Sequence, residues 1–196
     1  YPPGSVFKLV VAAAALEYGV SDPRFEVNCE GYVQLGNRAF HCWKKGGHGT
    51  LSLSQAIAQS CDVYFYNLAL KVGVNRVAEM ARRLGLGELS GLDLPGEKAG
   101  LIPTPDWKRA MYGDPWQKGD TFNTAIGQGY VLTTPLQLAI MTARLVNGGF
   151  FIKPRLVTFS DMGHGMEAGD EEAVSKIEIS GETLSVIRES MFEAVN

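Results

Sequence analysis

No basic tract, no internal repeat and no low-complexity segment occurs in this chain of 196 residues. Eighteen lysines and arginines against 21 aspartates and glutamates leave a formal net charge of -3. That balance lacks the electrostatic footprint of a nucleic-acid binder, so no nucleic acid is expected as a partner. Cysteine is scarce, with three residues, an odd count that leaves one thiol over if a disulfide forms. No signal peptide or transmembrane segment is recognisable. The apolar run near the start is shorter than the roughly 20 residues a bilayer requires.

What remains is ordinary for one globular domain with a real core: 45% hydrophobic and 20% charged residues. The pattern is mostly helical, joined by glycine-rich loops. Apolar periodicity predicts helices over about 5–18, 51–59, 62–73, 75–87 and 181–195. Thr134, Pro135 and Gln137 mark a helix start, and Asn147-Gly148-Gly149 its end. Residues 19–50 read as a long loop and 88–133 as mostly irregular. FFIKPRLVTFS, 150–160, suggests a strand pairing with 176–179, with the polar loop MGHGMEAGDEEA between them. The first helical pattern starts within five residues of Tyr1 and the last is still running near Asn196. A piece of a larger protein is therefore expected.

The first helix raises a chemical question. In YPPGSVFKLVVAAAALEYG, Lys8 interrupts a run that is apolar all round, which is the pattern of a buried helix. Ser5 lies one turn away on the same face. Desolvation disfavours a charged amine. A lysine so placed can take the proton of a serine hydroxyl and make it a nucleophile. The plain alternative is a helix-start serine with a lysine reaching to water. A second polar interruption, Ser60-Cys61-Asp62, separates two helical runs ahead of the apolar VYFY. It offers a rigid site element, or else a simple N-cap.

The three cysteines and one histidine form a further set, Cys29-x12-Cys42-x5-His48-x12-Cys61. Three thiolates and an imidazole make a tetrahedral structural zinc site. A Cys29–Cys42 disulfide with Cys61 as a small buried residue is the rival, and three buried free thiols the third reading. His41 is a substitute ligand, strained by its neighbour Cys42. His164 reads as surface. Trp116, Gly119, Asp120 and Thr121 either border a groove or form a packed loop around an indole. Gln128 between two glycines places backbone near that groove, with no catalytic role expected.

YPPGSVFK, CWKKGGHG, SCDVYFYNLA, WQKGDT and IGQGYVLTTPLQLA, in that order, resemble the transpeptidase domain of the penicillin-binding proteins. The elongation-type class B enzymes are the best likeness. The family's signature joins Ser-x-x-Lys to a Ser-x-Asn element and a Lys-Thr-Gly strand. The resemblance implies an α+β fold of the penicillin-binding-protein and serine β-lactamase type, here mostly its helical part with a truncated sheet. It makes Ser5 the acyl-accepting nucleophile, Lys8 its base and Ser60 the proton-relay serine. Asp62 stands where many relatives have asparagine, and a carboxylate accepts hydrogen bonds without donating any.

The implied activity is cross-linking of peptidoglycan stem peptides ending in D-Ala-D-Ala, with β-lactams trapped at the same serine. No catalytic cofactor is implied; relatives carry either a metal or a disulfide near the cysteines. Implied partners are a membrane-embedded glycosyltransferase and the elongation machinery. The implied location is the outer, periplasmic face of the cytoplasmic membrane, held by an N-terminal anchor. The alternatives are a serine β-lactamase, a D,D-carboxypeptidase, or a β-lactam-sensing module without turnover.

No Lys-Thr-Gly or Lys-Ser-Gly occurs in these 196 residues. The family's strand of that sequence binds the substrate carboxylate and supplies part of the oxyanion hole. Losing a single oxyanion donor costs roughly 10²–10³ in rate, and losing substrate positioning costs more. These residues on their own, a partial transpeptidase domain, are therefore expected to be inactive. Incubated with a fluorescent penicillin at ordinary drug concentration, they should remain unlabelled at Ser5; stoichiometric labelling would contradict that expectation.

Overall fold

The computed structural model describes residues 1–92, 95–155 and 175–196. A 3-10 turn, Gly4–Phe7, runs directly into α1, Lys8–Glu17. The chain then forms β1 (Val27–Cys29), β2 (Tyr32–Leu35), β3 (Arg38–His41) and β4 (Gly49–Leu51). Helices follow: α2 (Leu53–Ala58), α3 (Asp62–Val72), α4 (Val74–Arg83), α5 (Pro105–Tyr112), α6 (Lys118–Ala125), α7 (Pro135–Val146) and α8 (Gly181–Glu193). Among the described residues no helix is long and apolar enough to cross a membrane.

α1 is the axis of the fold. Every residue from Lys8 to Ala15 is buried, and α3, α4 and α8 pack around it. Its four consecutive alanines lose no side-chain entropy and let those neighbours approach closely. Each fully buried Val or Leu contributes about 1.5–3 kcal/mol of transfer free energy. Phe7, Val10 and Val11, all at 0% exposure, thus help to offset the cost of burying the Lys8 amine among them.

The expected helices are present, with two additions and one correction. The region 88–133, read as mostly irregular, holds α5 and α6. Thr104 caps α5 by accepting from the Trp107 N–H, and Pro105 takes its first position. α6 carries Gly119 inside it, because a side chain there would press on the Phe40 ring. Lys108 of α5 and Asp120 of α6 join the two at 2.6 Å. The remainder of that region is tied down by Gln137. It completes the capping box of α7, and its amide donates to the carbonyls of Glu88 and Ala99.

The loop expected over 19–50 is instead two antiparallel ribbons. β2 pairs with β3 through a Gly36-Asn37 turn, with Tyr32 opposite His41 and Leu35 opposite Arg38. β1 pairs with β4, Cys29 facing Gly49. The alternation in YVQLGNRAFH around a Gly-Asn pair is a hairpin signal in its own right. Of the pairing expected between 150–160 and 176–179, the described residues show one antiparallel bridge, Phe150 to Lys176. Residues 156–174, with His164 and the polar loop around it, lie outside the described residues.

Candidate active site and thiol cluster

Ser5 sits exposed on the 3-10 turn, and Lys8 begins α1 at 2% exposure. The turn is clamped from behind. The Gly4 N–H donates to the Gly127 carbonyl at 3.0 Å. A Cβ on Gly127 would strike the Gly4 carbonyl and come within 2.8 Å of Phe7 Cβ, so only glycine lets that backbone approach.

Lys8 Nζ lies 3.2 Å from Ser5 Oγ, 2.9 Å from Ser60 Oγ, 2.8 Å from the Ser60 carbonyl and 2.7 Å from Asp62 Oδ1. Ser60 Oγ donates to Ser5 Oγ at 2.9 Å. The Phe65 ring centroid is 5.8 Å from the amine. An isolated amine taken out of water costs several kcal/mol, which partners on this scale offset. The lysine does not reach to solvent, so the plain reading of Ser5-x-x-Lys8 fails. The family resemblance placed Ser5, Lys8, Ser60 and Asp62 in one site, and the fold brings Ser5, Ser60 and Asp62 within hydrogen-bond distance of the Lys8 nitrogen.

The N-cap reading of the second element fails as well. α3 is capped at Cys61, and neither the Ser60 nor the Asp62 side chain caps a helix. Ser60 instead ends α2 in the left-handed region, at φ 52°, the one non-glycine residue there among those described. The Cys61 N–H reaches back to the Ala56 carbonyl at 2.9 Å, which closes a Schellman-type end. A serine in this conformation costs on the order of 1 kcal/mol relative to glycine. The strain aims both the Ser60 hydroxyl and its carbonyl at Lys8.

Trp43 was missed by the sequence reading. Its indole N–H lies 3.1 Å from the carbonyls of both Gln59 and Ser60. Its backbone N–H donates to Asp62 Oδ2 at 2.9 Å. With Gly4, Ser5, Ser60, Asp62, Ile126 and Gln128 it lines a cleft of about 430 Å³. Gln128 thus reaches the groove as expected. Trp116 does not line it; its indole N–H bonds Thr121 Oγ1 at 2.8 Å, the packed-loop arrangement.

Behind the cleft, Cys29, Cys42, His48 and Cys61 converge, their four ligand atoms all within 4.8 Å of one another. His48 Nδ1 is 3.6 Å from Cys29 Sγ and 3.5 Å from Cys42 Sγ. Zn–S of about 2.3 Å and Zn–N of about 2.0–2.1 Å at a tetrahedral angle give an N–S edge of roughly 3.6 Å, so the donors fit a zinc ion. Burial, reinforced by Lys44, lowers the His48 pKa and favours the neutral imidazole a metal requires. Burial pushes the Cys61 thiol up. Cys29, Cys42 and Cys61 are buried free thiols in this structure. His41 is exposed and stands outside the cluster.

An apolar helix that buries a lysine between two serines defines a class, and the comparisons name it. Residues 1–196 match the family described as the penicillin binding protein transpeptidase domain, and the chain belongs to that family. Particular relatives narrow the likeness. Peptidoglycan D,D-transpeptidase MrdA of Acinetobacter baumannii is 41% identical over 159 residues, covering 80% of this chain and 24% of that protein. The Pseudomonas aeruginosa PBP2 structure in complex with WCK 5153 superposes with a TM-score of 0.87 at 39% identity, covering 97% of this chain and 43% of the other. The Helicobacter pylori PBP2 structure, solved in complex with MreC, gives a TM-score of 0.89 at 33% identity, covering 100% of this chain and 35% of the other. The chain spans about a quarter of the length of the curated relative, 24%.

Asp62 uses one oxygen for Lys8 and the other for Trp43. An asparagine has one acceptor oxygen, so one of those donors would face an amide NH₂ instead. Asp62→Asn should lower stability by about 2 kcal/mol, read as a drop in thermal midpoint. An unchanged midpoint would show that the two bonds contribute nothing.

Proposed function

We propose that this chain is the part of a serine-type D,D-transpeptidase that holds the nucleophile and its proton relay. The observation that carries the reading is Lys8 Nζ, 3.2 Å from Ser5 Oγ and 2.9 Å from Ser60 Oγ. Ser5 Oγ attacks the carbonyl of the D-Ala–D-Ala bond of a stem peptide while its proton passes to Lys8. An ammonium formed there faces Asp62 Oδ1 at 2.7 Å. Ser60 Oγ, bonded to both Lys8 and Ser5, gives its proton to the departing D-Ala amine and takes in exchange the proton held on Lys8. The acyl group on Ser5 then goes to the amine of a neighbouring strand, which cross-links the two.

A β-lactam presents a ring-strained amide carbonyl to Ser5 in place of the D-Ala–D-Ala carbonyl. Hydrolysis is less well supported, since water as acceptor needs a free base. Both oxygens of Asp62, the carboxylate lining the cleft, are already engaged. The Helicobacter pylori relative was solved with MreC. By that likeness an MreC-type partner is proposed for this protein; a membrane-embedded glycosyltransferase partner and an anchored, periplasmic location are proposed from the family resemblance alone. These 196 residues alone, without a Lys-Thr-Gly, are proposed to be inactive.

Cys29, Cys42, His48 and Cys61 are proposed to hold a structural zinc ion. It would join the ribbons of 27–51 to the turn between α2 and α3, because Cys61 lies between Ser60 and Asp62. Zinc there supplies cohesion and no catalytic step.

Two measurements test these readings in the protein that carries this chain. Intact-mass analysis after exposure to benzylpenicillin should show one adduct on Ser5, absent in Ser5→Ala and formed at least about 10²-fold more slowly in Lys8→Ala. An adduct that survives Ser5→Ala, or steady turnover of nitrocefin, would overturn the transpeptidase assignment. Elemental analysis of protein never exposed to chelator or reductant should give one zinc per chain; no metal together with a single free thiol would instead support the Cys29–Cys42 disulfide.

A further inference from the structure

We infer that Trp43 is a positioning residue of the acyl-transfer centre: it clamps the Ser60–Asp62 turn from the cleft side and so sets where Lys8 stands. The inference rests on the reading of Ser5, Lys8 and Ser60 given above.

The residue acts through two separate groups. The indole N–H is shared between the Gln59 and Ser60 carbonyls, at 3.1 Å each. The Ser60 carbonyl is also a partner of Lys8 Nζ, at 2.8 Å. One strained residue therefore has its carbonyl held from the cleft by Trp43 and from the core by Lys8. Ser60 is in the left-handed region without being glycine, so its conformation persists only because its surroundings impose it. With the indole bond removed, Ser60 can turn about its N–Cα bond toward an ordinary conformation. That rotation carries the Ser60 hydroxyl away from Lys8 and Ser5, to which it is bonded at 2.9 Å in each case.

The second group is the Trp43 backbone N–H on Asp62 Oδ2. It orients the carboxylate so that Oδ1 alone meets Lys8. Side chain and main chain of one residue thus constrain both flanks of Cys61.

Exposure argues that this is not ordinary packing. Trp43 is 63% exposed, so burial does little to explain its place. Its ring is held at the edge, 5.3 Å from the His48 ring in an edge-to-face contact, and Cys42 precedes it in sequence. The thiol cluster therefore fixes Trp43 from behind, and Trp43 fixes the turn in front. A shift of the cluster would be transmitted to the relay serine along this path.

The test replaces Trp43 with 3-benzothienylalanine, which keeps the shape of the side chain and substitutes sulfur for the N–H, in the full protein carrying this chain. Trp43→Phe is made alongside it. Timed acylation by a chromogenic β-lactam separates the first-order acylation constant from the affinity of the preceding complex. The acylation constant should fall about tenfold in the benzothienyl protein, with affinity, zinc content and thermal midpoint as in the parent. Trp43→Phe should fall at least as far. Acylation at the parent rate in the benzothienyl protein would overturn the inference, and so would a loss confined to affinity or to the thermal midpoint. Absence of any Ser5 adduct in the unsubstituted protein would sink the acyl-transfer reading, and this inference with it.

Discussion

The fold is organised around one amine that has no access to water. Lys8 enters an otherwise apolar helix, and four oxygens from three residues meet its nitrogen within 3.2 Å. Removing those oxygens would leave an uncompensated polar group in the core, at a cost of several kcal/mol. Helix α1 and the turn between α2 and α3 are therefore obliged to meet at this point. Ser60 has to accept a backbone conformation foreign to it, and Asp62 has to face inward from the first turn of α3. The same convergence that makes burial tolerable brings the Ser5 hydroxyl at the cleft within 3.2 Å of the amine. Stability and chemistry depend here on the same contacts.

Support for that point comes from two directions. On one side the glycine of the Ile126–Gln128 stretch permits backbone to touch backbone beneath Ser5. On the other side the two ribbons present Cys29, Cys42 and His48 to Cys61, at the centre of the second turn. Gly31 and Gly47 are needed in that region: a Cβ on either would collide with main-chain oxygen, of Lys45 and of Cys29 respectively. The ribbons are short, and two-stranded sheets are marginal alone. They pack against α3, and Phe40 lies on Tyr66 and Phe122.

Much of this was legible in the residues themselves. Lys8 in an apolar helix announced its own burial, and its spacing from Ser5 announced the partner. Thr134-Pro135 and Gln137 marked α7 because capping is a local interaction that local sequence can encode. The elements that escaped were those whose cause is distant. α6 contains a glycine whose reason is the Phe40 ring, far away in sequence, so the run looked like loop. Ser60 was read as a relay serine, with an N-cap as the plain alternative, and neither reading foresaw its left-handed geometry, whose carbonyl is held by Lys8 over 50 positions earlier. Trp43 gave no periodic signal at all, because its partners are carbonyls 16 and 17 positions on. The hairpin at 32–41 is a different kind of miss, since its Gly-Asn turn was there to be seen.

The left-handed serine has one more consequence. At position 60 the backbone would be most relaxed with glycine, and the hydroxyl would then be gone. A serine keeps the oxygen and must tolerate the twist, and a glycine that relieves the twist forfeits the hydroxyl bonded to Lys8 and Ser5. Under the relay role proposed for Ser60, backbone stability and turnover therefore pull this position in opposite directions.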